Sequence, residues 1–99
     1  MKTKFLGKKV IVRGDRSGVF FGTLDEAEGH QVRLTNCRRI WHWEGAASIS
    51  QLAVDGTSKP DMCKFTVYVP SIEISDGIEM IPCSEKAIES IENVSEWKA

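Results

Sequence analysis

Residues 31–43 read Gln-Val-Arg-Leu-Thr-Asn-Cys-Arg-Arg-Ile-Trp-His-Trp and form the longest run in the chain that is typical of a β-strand. Side chains alternate between the two faces of a strand, so a regular strand places Arg39, Trp41 and Trp43 on one face. The other face then carries Arg38, Ile40 and His42. Neither face is apolar to its end, which predicts a bulge or twist between residues 36 and 39, because bulges re-aim side chains.

Shorter strands are predicted on both sides of this run. They cover residues 8–13, 19–24, 64–69, 72–74 and 78–81, separated by turn formers at 14–18, 25–30 and 75–77. The neighbours Phe20 and Phe21 must point to opposite faces, so one is expected in the core and the other toward a partner, a ligand or a second layer. Pro70 is expected to end the strand before it, since proline has no N–H to donate to a ladder.

Two short helices complete the pattern. The first opens at Ala47 or Ser48 and ends at Gly56, and the second begins with Ser84 as its N-cap. Trp97, beyond the second helix, is expected to fold back onto the core. The chain is therefore predicted to be a single α+β domain over residues 1–99, with a mainly antiparallel sheet or small barrel of five or six strands and two short helices.

Composition argues against several classes of protein. Three widely spaced cysteines, with no Cys-x-x-Cys pair and only two histidines, argue against a metal site and a disulfide framework, and no cofactor is expected. No serine lies in a glycine elbow, and the His-Glu-x-x-His and phosphate-loop signatures are absent, so the chain is not expected to be an enzyme. With no secretory signal or long apolar run, we expect a cytoplasmic protein without a membrane span.

Charge is distributed unevenly along the chain. Residues 1–43 carry nine Lys and Arg against four Asp and Glu, whereas residues 44–99 carry four against ten. The two halves can pair with each other or with a neighbouring subunit, or the first half can offer a basic surface to an anion. The formal net charge of −1 is less basic than proteins that bind long nucleic acids usually are, so a small anionic ligand is favoured.

The arginines and tryptophans of residues 38–43 are the strongest candidates for a ligand site. A flat anionic ligand needs an aromatic face to stack on and a guanidinium to hold its charge. A packing interpretation stays open, with one tryptophan in the core and the other in a subunit interface. The small-residue turn before the first helix is either a phosphate seat or tight packing. The candidate ligand-binding residues are Arg13, Phe20, Asn36, Arg38, Arg39, Trp41, Trp43, Ser48 and Gln51.

Several of these segments resemble a family of small phage and prophage proteins. The resemblance rests on residues 17–24 (Ser-Gly-Val-Phe-Phe-Gly-Thr-Leu), on Arg-Arg-Ile-Trp at 38–41 with Gly-Ala-Ala-Ser at 45–48, and on residues 81–98. His42 departs from the tyrosine expected there. The family is similar to the first family of Thoeris anti-defence proteins. That resemblance implies a sponge, forming dimers or hexamers, that captures cyclic ADP-ribose isomers or cyclic oligonucleotides without cleaving them in the infected host cell.

Three hypotheses follow. The first is an oligomeric phage protein that sequesters a cyclic nucleotide signal. The second is a protein-interaction module that inhibits a host protein, with the tryptophans as interface anchors. The third is single-stranded nucleic-acid binding on the same stacking face, which the near-neutral total charge disfavours.

Overall fold

The computed structural model describes residues 3–99, and its core is an antiparallel sheet. The strands are β1 Lys9–Gly14, β2 Val19–Glu28, β3 Gln31–His42, β4 Lys64–Phe65, β5 Val69–Ile74 and β6 Gly77–Pro82. The helices are α1 Ile49–Asp55 and α2 Glu85–Glu92, with a single 3-10 turn at Pro60–Met62. The predicted α+β class, the six strands and the two helices are confirmed.

The longest strand, β3, organises the sheet. The strand order is β4-β3-β2-β1-β6, and β5 pairs with β3 beside β4, so β3 contacts three other strands. Alternation gives the sheet two buried faces. Phe21 packs with Ile11 and Ile40 against the two helices, whereas Phe20 packs with Val10 and Val12 in a second core. The adjacent phenylalanines therefore lie on opposite faces, as predicted, and both are buried.

A one-residue bulge interrupts β3 where the sequence predicted one. Thr35 pairs with Thr23 but Arg38 pairs with Phe21, so β3 contains one residue more than β2 between these two pairs. Asn36 adopts the left-handed conformation with φ 45°, which asparagine tolerates better than most residues. The bulge shifts the parity of the strand, so Val32, Leu34 and Cys37 share one core while Ile40 belongs to the other.

Gly22 is required opposite this bulge, and its replacement is a first prediction. A Cβ atom at Gly22 would lie 2.4 Å from the Cβ of Cys37 and 3.0 Å from its Cα. We expect Gly22→Ala to lower the free energy of unfolding by about 1–3 kcal/mol, because neither strand can move without breaking the ladder. Urea denaturation measures this loss of stability. Gly18→Ala is the comparison variant, because Gly18 has open space around it and differs from Gly22 in its φ of 112°. An unchanged urea midpoint for Gly22→Ala would contradict the close contact with Cys37.

Three boundary predictions are wrong. Residues 64–69 do not form one strand, because β4 ends at Phe65, residues 66–68 lie outside any strand and β5 begins at Val69. In one regular strand, Val67 and Phe65 would share a face, but Val67 is exposed and Phe65 is buried. Pro70 lies inside β5 rather than ending a strand, which an edge strand permits. The 25–30 connection is shorter than predicted, since β2 continues to Glu28 and leaves only Gly29 and His30 in the turn.

Both helices have the caps that the sequence indicates. Ser48 is the N-cap of α1 and accepts a hydrogen bond from the Gln51 amide, and Gly56 ends the helix at φ 74°. Ser84 caps α2 in the same way, and α2 buries Ala87 and Ile91 against the sheet. Within residues 3–99, no helix has the length and apolar character needed to cross a membrane.

Candidate functional site

Arg38, predicted to bind phosphate, lies in the core with none of its surface exposed. Its guanidinium donates four hydrogen bonds to backbone carbonyls: Nε to Thr66 at 3.0 Å, Nη2 to Phe65 at 3.1 Å, and Nη1 to Ile91 at 3.1 Å and Val94 at 2.9 Å. The group also lies 4.7 Å from the ring centre of Tyr68. These partners leave a ligand no access to Arg38, which corrects its assignment as a phosphate ligand.

The acceptors around Arg38 explain how a cation is held in the core. Ile91 lies in the last turn of α2, where carbonyls carry the negative end of the helix dipole, and Val94 directly follows the C-cap Asn93. Arg38 therefore joins the end of α2 and residues 65–66 to β3, and this cross-link fixes the position of Arg39 on the opposite face. Burial raises the pKa of the neighbouring Tyr68 phenol, so Tyr68 stays neutral beside the cation.

Arg39 and Trp41 project together from the other face of β3, as the alternation predicted. The guanidinium carbon of Arg39 lies 4.7 Å from the ring centre of Phe20, so this arginine lies over an aromatic ring. Among residues 3–99, no carboxylate pairs with Arg39. Trp41 is 61% exposed. Phe20 is only 1% exposed and supports Arg39 from below, which corrects its assignment as a stacking surface for ligand.

Two open grooves lie beside Trp41, which lines both of them. The first, which we call the Arg39 groove, has a volume of about 350 Å³ and an apolar floor. It is lined by Arg39, Trp41, Thr66, Val67, Val69 and Ile72. The only charged side chain in that lining is Arg39, so the Arg39 groove is suited to an anion that also carries a flat apolar part.

The second, the Trp97 groove, is larger, at about 750 Å³, and mixed in charge. It contains His42 and Lys64 but also Glu44 and Asp61, and the His42 ring nitrogen lies 3.2 Å from a Glu44 oxygen. These carboxylates disfavour an anion in the Trp97 groove. Electrostatics therefore favours the Arg39 groove as the place for an anionic ligand.

The remaining candidate residues lie elsewhere or serve local structure. Arg13 is on β1 and forms an ion pair of 3.1 Å with Glu79. Trp43, predicted to share a face with Arg39 and Trp41, instead packs partly buried against the helix-side core, because β3 ends at His42; its Nε1 donates to the Ala46 carbonyl at 3.2 Å. Asn36 forms the bulge. The structure thus brings together Phe20, Arg39 and Trp41 and separates them from the others.

Ser48 and Gln51, proposed to bind ligand at the start of α1, are used by the helix itself. The Ser48 hydroxyl accepts from the Gln51 amide at 3.2 Å, and the Gln51 side-chain oxygen accepts from the Ala47 amide at 2.7 Å. This reciprocal cap satisfies two of the amides that a phosphate seat would need. The interpretation of this turn as local helix structure is therefore the one that the geometry supports.

The candidates did not include four residues that line the Arg39 groove (Thr66, Val67, Val69 and Ile72), nor Lys64 and Trp97 of the neighbouring groove. Trp97 stacks on Trp41 with ring centres 6.0 Å apart and planes at 22°, and Lys64 Nζ lies 5.5 Å from the Trp97 ring centre. Trp97 is 45% exposed, so the expectation that it folds back onto the core is wrong. The signal available in the sequence was its setting, a tryptophan between Glu96 and Lys98, which is unusual for a core residue.

Two thiols away from the grooves have a raised pKa. Burial raises the pKa of the Cys83 thiol to about 12 and also raises that of Cys37. Both therefore stay protonated at neutral pH and are poor nucleophiles. In the part of the chain that the structure describes, no three His, Cys, Asp or Glu side chains converge as metal ligands.

Comparison with known proteins identifies the fold and the family. A similar solved structure is that of a heptameric archaeal Sm protein, with 16% identity and a TM-score of 0.51 over 81% of this chain and 91% of that one. This likeness concerns the fold. No curated protein matches the sequence significantly. The model of a domain of unknown function, DUF6948, matches residues 7–91, and the chain therefore belongs to the DUF6948 family.

Proposed function

We propose that this protein binds a cyclic nucleotide immune signal and sequesters it without cleaving it, as a phage anti-defence sponge. The observation that carries the proposal is the Arg39 groove. There a guanidinium held on Phe20 faces an apolar floor beside the open ring of Trp41. The resemblance to Thoeris anti-defence proteins supports sequestration as the purpose of that binding.

Each part of the groove suits one part of such a ligand. The Trp41 ring stacks a base, and the guanidinium of Arg39 binds a phosphate. Val67, Val69 and Ile72 cover the base edge or ribose that would otherwise face water. Stacking on an aromatic side chain contributes about 1–3 kcal/mol per base. A charge-assisted hydrogen bond contributes about 1.5–3 kcal/mol more. Together with the buried apolar area, these terms suit micromolar affinity, which is about −8 kcal/mol.

We further propose that the protein acts as a homo-oligomer, a dimer or a hexamer, in the cytoplasm of the infected host. Within residues 3–99, β5 pairs only with β3 and β6 only with β1, so each has a second edge without a strand. Such edges pair readily with another chain. The similar Sm protein is heptameric. Val69 and Ile72 of the Arg39 groove belong to β5, so assembly along this strand would bring a second subunit close to the groove.

Calorimetry tests the proposal. We expect saturable heat, at micromolar protein, with a cyclic ADP-ribose isomer or with a cyclic di- or trinucleotide, and none with adenosine, which has no phosphate. Ligand recovered intact after denaturation of the complex separates a sponge from a hydrolase. Native mass spectrometry of the same sample reports the oligomer mass and any bound nucleotide. No heat with any of the cyclic nucleotides would reject the proposal.

A second candidate function is a protein-interaction module that inhibits a host protein. The exposed apolar side chains of Trp41, Met62, Val67 and Trp97 favour it, because tryptophans often carry the binding energy of interfaces. A pull-down from host lysate discriminates between the two. A sponge retains a small molecule and no stoichiometric protein partner, whereas an interaction module retains a protein whose binding is lost in Trp41→Ala.

A further inference from the structure

Residues 95–98, which we call the strap, lie along the free side of β4. Glu96 forms a parallel bridge with Phe65, and the Trp97 amide donates to the Phe65 carbonyl at 2.8 Å. A Glu96 carboxylate oxygen also accepts from the Tyr68 amide at 3.0 Å. The strap therefore extends the sheet beyond β4 by a single parallel bridge.

The strap supports the ring that faces the Arg39 groove. Trp97 stacks on Trp41 and lines the Trp97 groove but not the Arg39 groove. Trp41 therefore both stacks on Trp97 and lines the Arg39 groove. Without Trp97, Trp41 would have few contacts to hold its ring in place, since it is 61% exposed.

The strap is lightly attached, so its docking can respond to events at the groove. All four of its side chains are exposed. The strap is held by the hydrogen bonds of the Trp97 and Tyr68 amides, by the stacked Trp41 ring and by the Lys64 ammonium over the Trp97 ring. Segments with few buried contacts and exposed hydrogen bonds open locally at low free-energy cost. The strap begins next to Val94, whose carbonyl is bound by Arg38, so its first residue is anchored while the rest can detach.

We propose that docking of the strap and binding of ligand in the Arg39 groove are coupled, with Trp97 as the positioning residue for Trp41. This inference rests on the proposed function. A docked strap holds the Trp41 ring ready for stacking, and a stacked ligand in turn holds Trp41 against Trp97. Coupling between two sites is reciprocal. The factor by which the docked strap strengthens ligand binding must therefore equal the factor by which bound ligand stabilises the docked strap.

The affinity test compares Trp97→Ala, Trp97→Phe and the wild type, with cyclic ADP-ribose and a cyclic dinucleotide as probes. We expect Trp97→Ala to weaken binding about tenfold, within the usual range of coupling factors, and Trp97→Phe to restore most of it. Lys98→Ala is the control within the strap, because the only interaction of Lys98 recorded among residues 3–99 is an exposed ion pair of 3.8 Å with Glu96, and it should bind as the wild type does. In ligand-free protein, Trp97→Ala should also remove the exciton signal of the stacked indoles from the circular dichroism spectrum.

The reciprocal test follows hydrogen exchange at the Trp97 amide, which donates to Phe65. Saturating ligand should slow this exchange about tenfold, matching the loss of affinity in Trp97→Ala. Wild-type protein that binds neither probe would reject the proposed function and this inference with it. A different result would reject the coupling alone. In it, the wild type binds a probe, Trp97→Ala binds it with the same affinity, and ligand leaves the exchange rate of the Trp97 amide unchanged.

Discussion

Arg38→Ala is expected to lower the free energy of unfolding by about 4 kcal/mol or more, the largest effect of any single substitution that we predict. The change removes the guanidinium from four buried carbonyls. Those of Thr66 and Val94 are left without a donor, whereas those of Phe65 and Ile91 keep the backbone amides of Trp97 and Val94. Each unsatisfied buried polar group costs about 1–3 kcal/mol, although water can enter and recover a part. Urea denaturation followed by circular dichroism measures the loss, provided that the transition remains two-state.

Two comparisons separate the geometry of Arg38 from its charge. Arg38→Lys keeps the charge but supplies a single nitrogen, which cannot reach carbonyls on three sides, so we expect it to lose at least half as much stability as alanine. Arg39→Ala removes the neighbouring arginine, whose side chain makes no hydrogen bond within the described chain. Its cost should stay below about 1 kcal/mol, the usual value of an exposed cation–π contact. Equal costs for Arg38→Ala and Arg39→Ala would contradict the assignment of the two roles.

The contrast between these arginines shows what sequence reasoning reached and what it could not. Alternation assigned Arg38 and Arg39 to opposite faces, and that assignment holds at the end of β3. Which face is buried depends on acceptors that lie 27 to 56 residues away in the chain. No local sequence pattern indicates the positions of those carbonyls. Both arginines of the pair were therefore predicted to bind phosphate.

The sheet itself was largely predictable, because its signals are local. The β-branched runs, the turn glycines and the capping serines each specify structure within a few residues, and the irregular pattern at residues 36–39 indicated the bulge. The region after β4 was not predictable in this way. Its path depends on Arg38, which donates hydrogen bonds to the carbonyls of Phe65 and Thr66. It also depends on the strap, which comes from the far end of the chain.

The same limit applies to the candidate site. Of the nine residues proposed from the sequence, Arg39 and Trp41 face the groove and Phe20 supports them, because these three are related by strand alternation and by one strand pairing. Trp97 joins them only through tertiary packing. Ser48 and Gln51 were chosen for the amides at the start of a helix, but their own side chains cap those amides.

Substitutions in the Arg39 groove should weaken ligand binding strongly while the fold persists. Trp41→Ala removes the stacking face, and the loss of about 1–3 kcal/mol per base corresponds to a 5- to 150-fold weaker affinity. Arg39→Gln removes the phosphate partner and should weaken binding to a similar extent. Isothermal titration with the cyclic nucleotide that binds the wild type measures both, and thermal denaturation should show that each variant remains folded.

Conservative changes at the same two positions give the sharper test, because they alter one property at a time. Trp41→Phe keeps an aromatic face and should retain most of the affinity. Arg39→Lys keeps the charge but loses the planar fork that lies on Phe20, so it should recover only part of the loss in Arg39→Gln. Arg13→Gln is the matched control for charge, since Arg13 is an exposed arginine paired with Glu79 on another strand. Equal weakening by Arg13→Gln and Arg39→Gln would mean that the ligand senses the overall charge of the protein and not the Arg39 groove.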